Sequence, residues 1–218
     1  MEIRRFVVFS GGMSAGAADF INPEIREDDF IACADSGYLT CAEAGFTPHI
    51  VIGDFDSLSQ EEVNGIERLG IPRVVHPAEK EETDTMLCVR YGIGLGYSRF
   101  LIAGGIGGEF GHTMANLQTL SYLTDNDCEA EIITGSERVF IVDGNTKRTI
   151  SGVFGGKFSV FSYTERSLGV SIEGARYTLK DATLSHSYPL GVSNEFMNDS
   201  PVIVSARQGR LLVIVSTS

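Results

Sequence analysis

The chain has 218 residues, a formal net charge of −12 and an isoelectric point near 4.7. Hydrophobic residues make up 43% and charged residues 21%, a globular composition that at about 150 residues per domain allows one large domain or two small ones. The acidic balance argues against a broad nucleic-acid footprint, which needs a basic face to meet phosphates, and no stretch approaches the roughly 18 uninterrupted apolar residues of a membrane span.

The N-terminal segment MEIRRFVVFSGG carries two arginines, but its apolar run is only Phe6 to Phe9. That reads as a buried strand, too short for the apolar core of a signal peptide, and the expected location is cytoplasmic. The runs RFVVFSGG, DFIACADSG, HIVIGDFDS, RVVHPAEK, RFLIAGGIGG and EAEIITGS each end a β-rich stretch in a polar or glycine-rich break. Between them lie helical candidates. Leu39 to Ala44 is a short one. Gln60 to Leu69 carries Val63, Ile66 and Leu69 at three-residue spacing. Thr83 to Leu95 carries Met86, Leu87, Tyr91 and Leu95, and Thr113 to Leu123 carries Met114, Leu117, Leu120 and Leu123. Apolar runs alternating with such stripes predict an α/β domain built on a parallel, Rossmann-like sheet.

Near residue 140 the pattern changes. After Phe140-Ile141-Val142 come short runs that alternate more strictly and are separated by turn residues, with Ala206 to Arg210 reading as a hairpin turn. This predicts an α/β domain over 1–140 and a small antiparallel β-sandwich over 141–218. The four cysteines, Cys33, Cys41, Cys88 and Cys128, form no C-x-x-C pair and fit no zinc framework, so reduced thiols are expected.

The chemistry-bearing residues fall at strand ends. Asp54 and Asp56 follow the run Ile50-Val51-Ile52; two carboxylates one residue apart beyond a parallel strand suit a hard cation such as Mg²⁺, and equally suit a helix cap. Thr83-Asp84 follows the fourth strand, preceded by Lys80, a compact charge that would suit a polyphosphate. Gly104 to Gly111, with Gly107 and Gly108 inside it, follows the fifth strand and precedes a helix on which His112 and Asn116 share a face. Glycine lets backbone amides approach phosphate, and a helix N-terminus adds a favourable dipole. Ser10-Gly11-Gly12 and Ala34-Asp35-Ser36-Gly37 complete the pattern. Acidic residues and glycine turns along one sheet edge point to nucleotide chemistry, with phosphoryl transfer as the reaction class.

These elements resemble a known family. ADSGYLTCAEAGFTPHIVIGDFDSL, KEETD, GGIGGEFGHTMANLQTL and GVSNEF follow in order over nearly the whole chain, and together they look like bacterial thiamine pyrophosphokinase. The resemblance implies transfer of a pyrophosphoryl group from ATP to the hydroxyl of thiamine, giving thiamine diphosphate and AMP. It implies Mg²⁺ on Asp54, Asp56 and Asp84, and nucleotide contacts from Lys80, Thr83, Gly107, Gly108, His112 and Asn116. It further implies thiamine contacts from Ser193 and Asn194, and a homodimer with thiamine between one subunit's α/β domain and the other's sandwich.

One departure stands out. Where the family usually reads G-G-R-x-D-H, Glu109 replaces the arginine and Gly111 the aspartate. Like charge beside a polyphosphate is unfavourable, so a second reading is a weakened homologue that binds thiamine or nucleotide without turnover. A third is a Mg²⁺-dependent phosphohydrolase using Asp54 and Asp56, against which Leu58 stands where such enzymes place Thr or Val.

Overall fold

Strand β1 (Phe6–Phe9) is four consecutive apolar residues, all buried, as a strand covered on both faces requires. The computed structural model describes residues 4–11, 18–77, 79, 81–153, 155–197 and 200–216. Strands β2 (Phe30–Ala34), β3 (Ile50–Gly53) and β5 (Arg99–Ala103) repeat this character; β4 (Arg73–Val75) and β6 (Glu129–Ile133) are more exposed. All six run parallel in the order β6-β5-β1-β2-β3-β4.

The crossovers are α1 (Ala18–Ile21), α2 (Gly37–Glu43), α3 (Gln60–Arg68), α4 (Asp84–Gly94) and α5 (Phe110–Asp125). Helix α1 and the single 3₁₀ turn Asn22–Glu24 after it are too short to show an apolar stripe, and the sequence pattern does not reveal them. Helix α3 opens on a capping box: the Ser59 hydroxyl accepts from the Glu62 amide at 3.3 Å, and the Glu62 carboxylate accepts from the Ser59 amide at 2.6 Å. The chain steps outward from β1 to β4, then returns to lay β5 on the other side of β1. Strand order reverses there, and such a reversal opens a crevice at the carboxyl ends of the strands.

The second part holds β7 (Glu137–Asp143), β8 (Thr146–Ile150), β9 (Lys157–Ser162), β10 (Arg166–Glu173), β11 (Leu179–Ser185), β12 (Gly191–Glu195), β13 (Val202–Ala206) and β14 (Arg210–Ser216). They form two antiparallel sheets, β12-β9-β14-β7 and β11-β10-β13-β8. Alternate residues of both sheets meet in one core: Phe158 and Val160 of β9, Val202 and Val204 of β13, Leu211 and Val213 of β14. This is the α/β fold with a following β-sandwich. The turn Ala206–Arg210 is not a hairpin. β13 pairs with β8 and β10 while β14 pairs with β7 and β9, so the turn carries the chain from one sheet to the other. Two compact units result, Met1–Gly135 and Ser136–Ser218, and β7 belongs to the second, a few residues before the change read near 140.

Cys33, Cys41 and Cys88 are buried free thiols and Cys128 is half-buried. Burial pushes the Cys33 and Cys88 thiols well above their ordinary range. Among the described residues no helix is long and apolar enough to cross a membrane.

Helix α2 starts against the end of β1, and a Cβ on Gly37 would lie 2.0 Å from the Phe9 carbonyl oxygen. Gly37→Ala is therefore expected to cost about 1–3 kcal/mol, as overpacking does. The check is the urea midpoint, and an unchanged midpoint would mean that α2 moves away without penalty.

Candidate active site

A cleft of about 560 Å³ opens at the carboxyl ends of the parallel strands. Ser10 reaches it from the end of β1, Asp35 and Ser36 from β2, Ser57 from the loop after β3, and Thr83 and Asp84 from the start of α4. Gly105 and Gly108 line it after β5, and His112 and Asn116 line it from α5.

Backbone conformation gathers the carboxylates. Phe55 takes φ of 65°, its ring packs on the apolar core, and the Arg73 guanidinium stands 5.6 Å from the ring centroid. With Phe55 turned inward, Asp54 and Asp56 lie together: the Asp56 amide donates to Asp54 Oδ1 at 3.2 Å, and the Ser57 hydroxyl to Asp56 Oδ1 at 3.1 Å. Asp35 also takes a left-handed φ, 44°, and is only 6% exposed. Gly53 allows its approach, because a Cβ there would come within 2.9 Å of Asp35 Cβ. One oxygen each from Asp35, Asp54 and Asp56 falls within 4.8 Å of the others. Asp35 Oδ1 is fully buried with no hydrogen-bond partner, the single such side-chain atom among the described residues. Leaving a buried acceptor unpaired costs about 1–3 kcal/mol or more when charged, and this oxygen is one that could take a cation.

The sequence reading grouped Asp84, not Asp35, with Asp54 and Asp56. The three-carboxylate group does not include Asp84, the first residue of α4, which lines the same cleft as Asp35. Asp35 was visible as a strand-end aspartate in ADSG, but nothing local said that a positive φ would fold its carboxylate towards the next strand.

The remaining polar residues hold the cleft together. Thr83 caps α4, its hydroxyl accepting from the Met86 amide at 3.2 Å. The buried hydroxyls of Ser10 and Thr85 are 2.8 Å apart and join the end of β1 to α4. Asn116 is 4% exposed, and its Nδ2 donates to the Gly105 carbonyl at 2.8 Å, fixing a turn in which Gly104, Gly105 and Gly107 have φ of 87°, 79° and 105°. Glu109 is the N-cap of α5 but makes no side-chain cap bond, which leaves the first amides of α5 without that partner. Its carboxylate is 3.9 Å from His112 Nε2, both side chains being largely exposed. Lys80 lies outside the described residues, as does Gly12. Among the described lining residues the cleft has five carboxylates (Asp35, Glu81, Glu82, Asp84 and Glu109) and no lysine or arginine.

Ser193 and Asn194 belong to the second unit, on β12. Ser193 is exposed with φ of 55°, and its amide donates to the Ser159 hydroxyl at 3.1 Å. Asn194 is 4% exposed: its Oδ1 accepts from the Tyr177 and Glu195 amides at 3.0 and 2.9 Å, and its Nδ2 donates to the Tyr177 carbonyl at 2.7 Å.

A parallel sheet whose switch-point cleft combines clustered carboxylates, a glycine turn and an uncapped helix N-terminus has the features of a nucleotide-handling transferase. Comparison with known proteins narrows the class. Residues 21–132 match the family described as thiamin pyrophosphokinase, catalytic domain, and residues 146–211 match thiamin pyrophosphokinase, vitamin B1 binding domain. The chain belongs to the thiamin pyrophosphokinase family and is an enzyme of that class. It is 26% identical over 191 residues to the thiamine pyrophosphokinase of Bacillus subtilis (strain 168), covering 84% of this chain and 85% of the relative. It is 24% identical over 156 residues to thiamin pyrophosphokinase 1 of Caenorhabditis elegans, covering 68% and 62%. The crystal structure of the B. subtilis thiamine pyrophosphokinase shares the fold with a TM-score of 0.88 at 22% identity, over 99% of this chain and all of that one. That of yeast thiamin pyrophosphokinase does so at 0.81 and 16%, over 99% and 87%.

Proposed function

We propose that this protein transfers the pyrophosphoryl group of ATP to the hydroxyl of thiamine, yielding thiamine diphosphate and AMP, with Mg²⁺ as the cofactor. The observation that carries the reading is the partnerless Asp35 Oδ1 inside a three-carboxylate group, in a cleft that offers an anion no lysine or arginine among its described residues. A polyphosphate and the described carboxylates of this cleft repel one another, and a cation would offset that repulsion. Oxygen donors of this kind suit a small hard dication. Asp35, Asp54 and Asp56 would hold it, with Asp84 on the same cleft. A dication bound there would offset charge on the phosphates as the bond to AMP breaks.

The chain's own groups supply the rest. The Gly104–Gly108 turn and the first amides of α5 offer N–H donors to phosphate oxygens. The Asn116 bond to Gly105 and the Ser10–Thr85 pair keep the turn and α4 in register with the carboxylates. In the reaction the thiamine hydroxyl oxygen bonds to the β-phosphorus, the bond from that phosphorus to the AMP oxygen breaks, and the hydroxyl proton passes to a base. The α/β unit takes the nucleotide and the sandwich, through Ser193 and its neighbours, takes thiamine; the match of residues 146–211 to a vitamin B1 binding domain supports this division. Glu109 lines the cleft but makes no cap bond, and its side chain is 86% exposed, where water weakens its repulsion of a phosphate; this supports turnover despite the replaced arginine.

We further propose a cytoplasmic homodimer with the thiamine site at the subunit interface. The sandwich exposes Tyr188, Leu190 and Val192 at 68%, 52% and 47%, in and just before β12, a run of apolar surface that suits burial by a second copy.

Incubation with ATP, Mg²⁺ and thiamine should give AMP and thiamine diphosphate in equal amounts by chromatography. Asp54→Asn should lower kcat by at least about tenfold through loss of a charge-bearing ligand. Inorganic phosphate release without thiamine diphosphate would refute the transfer, and full activity in Asp54→Asn would refute the role of that residue. Light scattering coupled to gel filtration should give twice the chain mass of 23.6 kDa; a stable species at the chain mass would refute the dimer.

A further inference from the structure

Asn194 adjoins the exposed Ser193 and would be expected to present its amide to a ligand. The geometry points to a different role: we infer that Asn194 is a positioning residue, whose buried amide clamps the β10–β11 turn of one sheet onto β12 of the other and thereby fixes where Ser193 stands. The inference rests on the thiamine-binding role proposed for the sandwich.

An asparagine amide has two acceptor lone pairs and two donor hydrogens. Here Oδ1 accepts two bonds, from the Tyr177 and Glu195 amides, and Nδ2 donates one, to the Tyr177 carbonyl. Pairing with an aminopyrimidine edge takes an acceptor and a donor together, and the acceptor is already saturated. The side chain is also 4% exposed, so its remaining hydrogen faces protein rather than open surface.

The clamp reaches across the sandwich. Residues 174–178 form the turn between β10 and β11, whereas β12 belongs to the opposite sheet. Around the amide, Ala175 bridges Phe196, and the Arg176 amide donates to the Glu195 carbonyl at 3.0 Å. The Arg176 guanidinium pairs with the Glu195 carboxylate at 2.6 Å, but both are accessible to water and such pairs hold weakly. The Asn194 amide is the strong link, because the side chain is itself buried and ties both backbone groups of Tyr177 to β12. On the other side of Asn194, Ser193 keeps a left-handed φ of 55° that an unrestrained serine rarely adopts. Its backbone is held between the Ser159 hydroxyl and the clamped Asn194, while its hydroxyl is left on the exposed face.

The test uses the full chain, with Asn194→Ala and Asn194→Asp. In the ligand-free protein the Tyr177 amide of Asn194→Ala should exchange with deuterium at least about tenfold faster than in the parent. Asn194→Asp keeps both acceptor bonds but sets a carboxylate oxygen against the Tyr177 carbonyl, so its Tyr177 amide should exchange at a rate between those of the parent and Asn194→Ala, a graded loss that misfolding would not give. Calorimetry then compares thiamine with an analogue bearing oxygen in place of the pyrimidine amino group. A positioning residue predicts that each variant loses the same factor, to within about twofold, for both compounds. Unchanged Tyr177 exchange in Asn194→Ala would overturn the clamp. A loss at least about tenfold larger for thiamine than for the analogue would overturn the indirect role and restore direct contact. If the parent bound neither compound, the thiamine reading would fall and the role in binding with it, while Tyr177 exchange would still decide the clamp.

Discussion

Three like charges held close together are the constraint on which the first unit turns. Oxygens of Asp35, Asp54 and Asp56 lie within 4.8 Å of one another, and carboxylates so close repel when ionised. The backbone must impose that proximity, because the side chains resist it. It does so at the carboxyl edge of a sheet whose strands β1, β2 and β3 are buried along nearly their whole length.

The means are local and specific. Asp35 and Phe55 both take positive φ, which non-glycine residues seldom do, and each aims a side chain where an extended strand would not send it. Gly53 removes a Cβ that would come within 2.9 Å of Asp35 Cβ, and Gly37 one that would strike the end of β1. Such strain persists because the neighbouring strands over-determine it, and a bound cation would relieve the repulsion that it sustains. The sandwich solves a separate problem. Its sheets share one apolar core, and a single buried amide at Asn194 ties a turn of one sheet to a strand of the other.

Much of this was legible in the sequence. Buried parallel strands read as unbroken apolar runs, the longer helices as stripes, and the sandwich as alternation, because burial on two faces, one stripe or one face leaves those periods. The cleft could be located as well, since Asp54, Asp84 and the glycine run all follow strands, and strand ends are where open sheets bind ligands. The third carboxylate could not be picked out. Asp35 differs from an ordinary strand-end aspartate only in a φ that tertiary packing sets. The Ala206–Arg210 turn misled for a similar reason, because turn residues mark a reversal but not the sheet in which the next strand pairs. Ser193 and Asn194 could not be told apart, since nothing in GVSNEF says which of two adjacent polar residues is buried.

The central claim is that Asp35, Asp54 and Asp56 form a cation site in the chain itself. It is tested most directly by titrating Mn²⁺, as a paramagnetic substitute for Mg²⁺, into the protein alone and counting bound ions by electron paramagnetic resonance. The account predicts a site that Mg²⁺ competes for and that Asp35→Asn abolishes or weakens by at least about tenfold. Undiminished Mn²⁺ binding in Asp35→Asn, or no site in the parent protein, would contradict it.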